Sequence, residues 1–234
     1  MCQYTRRAVV KALADGSITD VARPARNGRA PRRGAVLDAA TELFAERGFA
    51  GVSIQEIADA AHTHKTTVLY HFGTKEALYT AVLDEALEKI AEVMADFMSG
   101  GIVIANLRER VAYVIDQVQA YYAERPSHAR LLERELLEAQ VPDAYLDHFV
   151  ERIYQPAVAG LEEAAARGII RPIDPALFIH DVHILLVGYF CHRPLLERLK
   201  PGDPFSIEAL IARRNHLVDQ MFALFRINEE GLRQ

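Results

Sequence analysis

The stretch VSIQEIADAAHTHKTTVLYHFGTK, residues 52–75, decides how this chain is read. Ser53 stands three residues before Glu56 at the head of an apolar segment. That is the spacing of a capping box, in which the serine hydroxyl and the glutamate carboxylate each satisfy an amide at the start of a helix. A short helix through about Ala60 follows. His62 and Thr63 interrupt it, and a second short helix is expected from about His64 to His71, stopped by Gly73. Thr74 then caps a long helix running to about Met98, with Glu76 near its positively polarised start. Upstream, from Gly34 to Arg47, the residues Val36, Leu37, Ala40, Leu43 and Phe44 recur at spacings of three and four, and Gly48 ends the run. Two short helices separated by a turn of three or four residues and braced by a third are the parts of a helix-turn-helix.

The second short helix has an unusual composition. Positions 60–75 hold no Asp or Glu, although a quarter of the chain is charged. They do hold Thr63, His64, Lys65, Thr66, Thr67, Tyr70, His71 and Lys75. Such a surface approaches a polyanion without repulsion: Lys, Thr and Tyr reach phosphate oxygens, and exposed side chains near the helix start reach base edges. Val68 and Leu69 supply the inward face, against Ile54, Ile57 and Ala58. The net charge of −5 hides a polarity along the chain. Residues 1–33 carry eight Arg and Lys, ending in Arg32 and Arg33, against two Asp, whereas the remainder is acidic. A basic front on an acidic body is the footprint of a chain that offers one end to phosphate. A solvated basic tail is the competing reading. Residues 1–30, poorly periodic, are read as a flexible basic arm.

Beyond Gly100 the spacing predicts helices at about 103–124, 126–139, 143–167, 175–198 and 205–226. Arg125-Pro126, Val141-Pro142, Asp174-Pro175 and Asp203-Pro204 supply starts, the last two as Asp caps followed by Pro, and Gly168 supplies a stop. No strand alternation is visible, so the chain is read as all-α. The helix from Pro175 is apolar nearly all round, and the last helix carries Ile207, Leu210, Ile211, Leu217, Val218, Met221, Phe222 and Phe225 at helical spacing. Burial in a monomer core and burial against a partner both fit that pattern. Glu133, Glu135 and Glu138 read as a solvated helix face. His180 and His183, three apart, are spaced to share a metal, but a histidine in an apolar helix is more often a hydrogen-bonded core or interface residue, and no metal is assigned. The chain lacks a Gly-x-Ser-x-Gly elbow, a phosphate-cradling glycine loop and a His-Glu-x-x-His pair, so no catalytic residue and no cofactor is expected. Cys2 and Cys191 form no metal or disulfide pattern. No secretory signal is apparent, and the longest apolar run, Ile184 to Cys191, is far short of the roughly 20 residues that span a bilayer, so a cytoplasmic protein is expected.

The segments LDAATELFAERGF from Leu37, VSIQEIA from Val52 and TVLYHFGTKEAL from Thr67 together resemble the N-terminal domain of the TetR family of transcriptional regulators, over about 50 contiguous residues. The resemblance implies that helix 64–71 enters the major groove, that Tyr70 and His71 sit at its phosphate-facing end, that Lys75 reaches a phosphate, and that Ser53 touches the backbone. It implies three parts: the arm at 1–30, a three-helix DNA-binding domain at 31–80, and a larger helical domain at 81–234 for effector binding and dimerisation. The partners implied are a double-stranded DNA operator, an unidentified small-molecule effector, and a second copy joined through the last two helices. Tyr113, Tyr121, Phe149, Tyr154, Phe178 and His183 are the candidate effector-lining residues. The alternative is a helical small-molecule or metal-binding protein that uses the C-terminal histidines. One departure stands out: where the family commonly has Gly-Val-Ser in the turn, this chain has His62-Thr63-His64. His62 is therefore expected to take a positive φ, at a cost of order 1 kcal/mol, and Thr63 to substitute as the cap.

Overall fold

The computed structural model describes residues 33–99, 107–138, 140 and 143–225, and every regular element among them is helical. The arm at 1–30, Arg32, the expected helical start at 103–106, the Val141-Pro142 pair and residue 226 lie outside the described residues. In chain order the helices are α1 (Arg33–Arg47), α2 (Ile54–Ala60), α3 (Lys65–Phe72), α4 (Lys75–Ser99), α5 (Leu107–Glu124), α6 (Pro126–Glu138), α7 (Asp143–Phe149), α8 (Gln155–Ala166), α9 (Pro175–Cys191), α10 (Arg193–Leu199) and α11 (Ile207–Phe225). A single π turn, Val150–Tyr154, joins α7 to α8.

Packing divides the described chain into two units, and the division is not a single cut near residue 80. The N-terminal unit takes the described residues up to Lys89 and, in addition, Arg125–Asp147; the C-terminal unit takes Ile90–Glu124 and the chain from His148. In the N-terminal unit Phe44, Ile57, Val68, Leu78, Leu83 and Leu131 are fully buried in one cluster. Phe44 meets Tyr79 edge-on with ring centroids 5.0 Å apart. α6 packs along α1 and brings polar as well as apolar groups with it. The Ser127 hydroxyl donates to Glu42 at 2.5 Å, and the Tyr79 hydroxyl donates to Glu135 at 2.8 Å. Glu135 is therefore not on a solvated face: it is 1% exposed. Leaving α1, the chain turns back so closely at Gly51 that a Cβ there would lie 2.4 Å from the Arg47 carbonyl oxygen, which only glycine avoids.

In the C-terminal unit α5 packs on α9 and α11, and α9 on α8. Polar groups fix the α5–α11 pairing. Arg214 pairs with Asp116 at 2.9 Å, Arg213 donates to Gln119 at 2.6 Å while stacking on Tyr189, and Gln119 donates to the Leu210 carbonyl at 3.3 Å. Three expected boundaries differ here. The helix expected at 143–167 is interrupted because Pro156 has no N–H to give the Arg152 carbonyl. The backbone widens instead, and the Gln155 N–H reaches back five residues to Val150. The helix expected at 175–198 breaks at His192 by 83°, with Pro194 in the first turn of α10. Asp203 does not cap the last helix; its carboxylate accepts from the Phe205 N–H and from Arg193, and Ser206 caps α11 three residues later. Asp174 caps α9 as expected, with Pro175 following. Among the described residues no single helix is long and apolar enough to cross a membrane.

Tyr79→Phe removes a donor from a buried carboxylate while keeping the ring. The variant is expected to lose about 1–3 kcal/mol of stability, read from the urea midpoint of unfolding. An unchanged midpoint would show that the pair contributes nothing.

Candidate nucleic-acid interface and internal cavity

The capping box forms at the start of α2. The Ser53 hydroxyl accepts from the Glu56 N–H at 3.2 Å, and the Glu56 carboxylate accepts from the Ser53 N–H at 2.8 Å and from its hydroxyl at 2.7 Å. Arg47 pairs with the same carboxylate at 2.8 Å. The Ser53 hydroxyl and amide, with help from Arg47, lower the Glu56 pKa from 4.5 to about 2. At its other end α2 closes with the Thr63 N–H donating to Ala58 and the His62 N–H to Asp59, the two bonds of a Schellman motif. That motif needs a left-handed residue at position 62, and His62 takes it with φ +53°, as expected from the missing glycine. Thr63 is not the cap of α3. Its amide completes α2, and His64 occupies the N-cap position with extended backbone and no side-chain hydrogen bond to the helix. α3 accordingly begins at Lys65, one residue later than expected.

α3 buries Val68 and half-buries Leu69 and Phe72. Its opposite side exposes His64, Lys65, Thr66, Tyr70 and His71, with Thr63 and Thr67 partly accessible. Tyr70 is 86% exposed, although an aromatic ring normally finds cover. The α3–α4 turn passes through Gly73 at φ +76°, and the Thr74 hydroxyl accepts from the Ala77 N–H at 3.1 Å, setting the start of α4. Two cations beside this face rest on aromatic rings. The Lys75 ammonium lies 4.3 Å from the centroid of Phe49, and the Arg33 guanidinium 5.0 Å from that of Phe72. The rings hold each charge at a defined place at the edge of α3. Neither seat is local in the chain, since Phe49 lies 26 positions before Lys75 and Phe72 lies 39 after Arg33, so nothing in the neighbouring residues signals the pairing. The Ser53 hydroxyl, expected to touch the DNA backbone, is already engaged with Glu56.

The C-terminal unit contains a cavity of about 170 Å³. α5 lines it with Val111, Val114, Ile115, Val118 and Tyr122, a stripe at helical spacing. Of the six aromatic and histidine candidates, Tyr154, Phe178 and His183 are in the wall, with the Tyr154 and His183 rings 6.1 Å apart. Tyr113, Tyr121 and Phe149 are not. Tyr113 is exposed on another face of α5, Tyr121 packs edge-on against Tyr122, and Phe149 packs against Tyr154 from behind. The π turn contributes Ile153 and Tyr154, and α4 contributes Ile90, Met94 and Phe97. His180 points elsewhere: it is exposed, 3.9 Å from Asp181. Among the described residues no three His, Cys, Asp or Glu side chains gather in a metal-binding arrangement.

A sequence profile described as "Bacterial regulatory proteins, tetR family" matches residues 36–82, the segment from α1 into α4. The HTH-type transcriptional regulator RutR of Escherichia coli K12 is 30% identical over 79% of this chain and 85% of its own. This chain belongs to the TetR family of transcriptional regulators. It is a DNA-binding regulator in a family that is not enzymatic. Solved structures carry the same fold. A TetR-family regulator from Marinobacter aquaeolei superimposes with a TM-score of 0.63 at 21% identity, over 80% of this chain and 93% of that one. AibR, solved in complex with isovaleryl coenzyme A and operator DNA, does so with a TM-score of 0.59 at 19% identity, over 80% and 96%.

The left-handed backbone at position 62 makes a sharp prediction. His62→Val puts a β-branched residue where φ is positive and is expected to destabilise the chain by about 1–2 kcal/mol, whereas His62→Gly is expected to be at least as stable as the wild type in thermal unfolding. The capping box makes another. A carboxylate whose pKa is depressed on folding stabilises the fold above its unfolded value and loses that contribution as pH falls. Acid unfolding should therefore steepen between pH 4.5 and about 2, and Glu56→Gln should remove that part of the pH dependence. Identical acid profiles for the two proteins would exclude the box as the source.

Proposed function

We propose that this TetR-family regulator is a cytoplasmic, ligand-responsive repressor that occupies a palindromic operator as a homodimer. The acid-free, outward side of α3 carries this reading: His64, Lys65, Thr66, Tyr70 and His71 are exposed together while Val68 anchors the helix from behind. Side chains near the start of α3, His64, Lys65 and Thr66, are assigned to base edges. Thr67, Tyr70, His71, Lys75 and Arg33 are assigned to phosphates, with Arg32 and the arm at 1–30 adding charge from outside the described residues. The second copy is assigned to α9, α10 and α11; Leu177, Ile184 and Leu185 on α9 and Leu195 and Leu199 on α10 are exposed apolar residues. Apolar side chains in such number on adjoining helices favour a protein partner.

The ligand response is assigned to the cavity and to α4. This helix begins with Lys75 and ends with cavity-lining Ile90, Met94 and Phe97, so one continuous element carries both a phosphate-binding candidate and part of the ligand wall. AibR, with ligand and operator in one complex, supports a fold that accommodates both. An effector shifts operator affinity only through its differential affinity for two states; about 1–3 kcal/mol of coupling changes it roughly 5- to 150-fold, and operator must weaken effector binding by the same factor.

Footprinting and equilibrium binding on the chain's own upstream DNA test this reading. A protected site with two-fold symmetry is expected. Lys75→Ala should weaken binding to all sequences about equally and reduce the slope of log affinity against log salt by roughly one, while His64→Ala and Thr66→Ala should change sequence preference. No salt-dependent binding to any DNA would overturn the operator assignment, and an unchanged salt slope would remove Lys75 from the contact set.

A further inference from the structure

The cavity wall restricts what it can hold. Among the described residues it contains no Lys, Arg, Asp, Glu, Asn, Gln, Ser or Thr, and its only nitrogen or oxygen atoms on side chains belong to Tyr122, Tyr154 and His183. Two arginines approach lining rings without joining the wall. Arg108 packs on Phe222 and pairs with Asp219; Arg110 packs on Phe97 and donates to the Phe97 carbonyl. A carboxylate, phosphate or ammonium entering this space would exchange its hydration for hydrocarbon, with no charged side chain among the described wall residues to offset the loss. The volume sets the second limit. Apolar cavities of about 150 Å³ stay dry and accept benzene, so one of about 170 Å³ has room for a ring with a small substituent. Phe97, Phe178 and Phe222 with Met94 and Met221 give the wall the aromatic and polarizable character that suits such a body.

Building on the reading of this cavity as the effector site, we propose that it takes a small, uncharged, hydrocarbon-bodied molecule the size of a substituted benzene. The ligand carries no more than one hydroxyl or carbonyl, which meets Tyr154 and His183. The Tyr154 and His183 rings lie 6.1 Å apart in an otherwise apolar wall, so a single polar group on the ligand is oriented toward them without demanding charge.

The test uses the full chain, titrated by calorimetry with toluene, benzoate and benzylammonium, which share a ring and differ in charge. Toluene should bind saturably, and both charged probes at least tenfold more weakly. Ala157→Phe and Val182→Phe each place a ring into the cavity from a different helix, and each should weaken toluene binding at least tenfold while circular dichroism stays helical. If a filled variant fails to fold, the charge comparison on the wild-type chain still decides. Absence of saturable toluene binding, a charged probe binding within tenfold of toluene, or undiminished toluene binding in a folded, filled variant would each overturn the proposal. Operator affinity measured at saturating toluene separates the two readings. Release of DNA supports both, whereas bound toluene with unchanged operator affinity counts against the effector reading and leaves the ligand class standing.

Discussion

α4 has to bury one side of itself in two different cores. Its first half places Leu78, Tyr79, Val82 and Leu83 in the cluster that also holds Phe44 and Val68, and its second half places Ile90, Met94 and Phe97 in the wall of the cavity. A 25-residue helix meets both demands only if its apolar residues keep helical spacing throughout and its start is fixed, because each residue added or lost at the N-terminus rotates the rest by about 100°. The Thr74 hydroxyl on the Ala77 amide fixes that start. Lys75, one residue on, thereby takes its place in the first turn of α4.

The N-terminal unit shows why a helix-turn-helix of this size takes help from further along the chain. Its three short helices leave α1 with a side that α6 covers, and α6 buries Leu131 and Leu132 together with Glu135 and His128. Burial lowers the His128 pKa to about 4, with Arg125 adding to the effect, so the imidazole is neutral at physiological pH and adds no charge to the interior. Glu135 keeps its place through the Tyr79 hydroxyl. A carboxylate and an imidazole cost more to bury than leucines would, and directional bonds of this kind single out one register of α6 on α1 and α4.

What was legible in the residues was local. The capping box, the glycine stops at 48, 73 and 168, the Asp174-Pro175 start and the positive φ at His62 each depend on neighbours within a few positions, and each is present in the folded chain. Pro156 and Pro194 were equally local, but their effect was concealed by apolar spacing that runs through them. Such spacing records which side chains are buried and is indifferent to a missing backbone donor. The assignment of α6 was not legible, because its partners are some 50 to 90 residues away and its glutamates look the same whether solvated or bonded to a tyrosine. The cavity was half legible for a related reason. Aromatic identity selected Tyr113, Tyr121 and Tyr154 alike, whereas the wall of α5 is chosen by angle, which admits Tyr122 and turns Tyr121 aside.

The turn between α2 and α3 joins local strain to the surface beside it. With His62 closing α2 through a left-handed backbone, the Thr63 amide is spent on α2, and α3 starts from a histidine that offers its first turn no side-chain bond. A serine in that position would fold back onto the helix and occupy an amide. His64 instead stays exposed beside Lys65 and Thr66, and the first-turn amides of α3 are not taken by a capping side chain of their own helix. Under the operator-binding reading this is a gain as well as a cost. The amides of a helix start favour negative charge, and a side chain freed from capping is long enough to reach past the backbone of the turn. His62 therefore carries the strain of the turn, while His64, two residues on, is the exposed side chain at the start of α3.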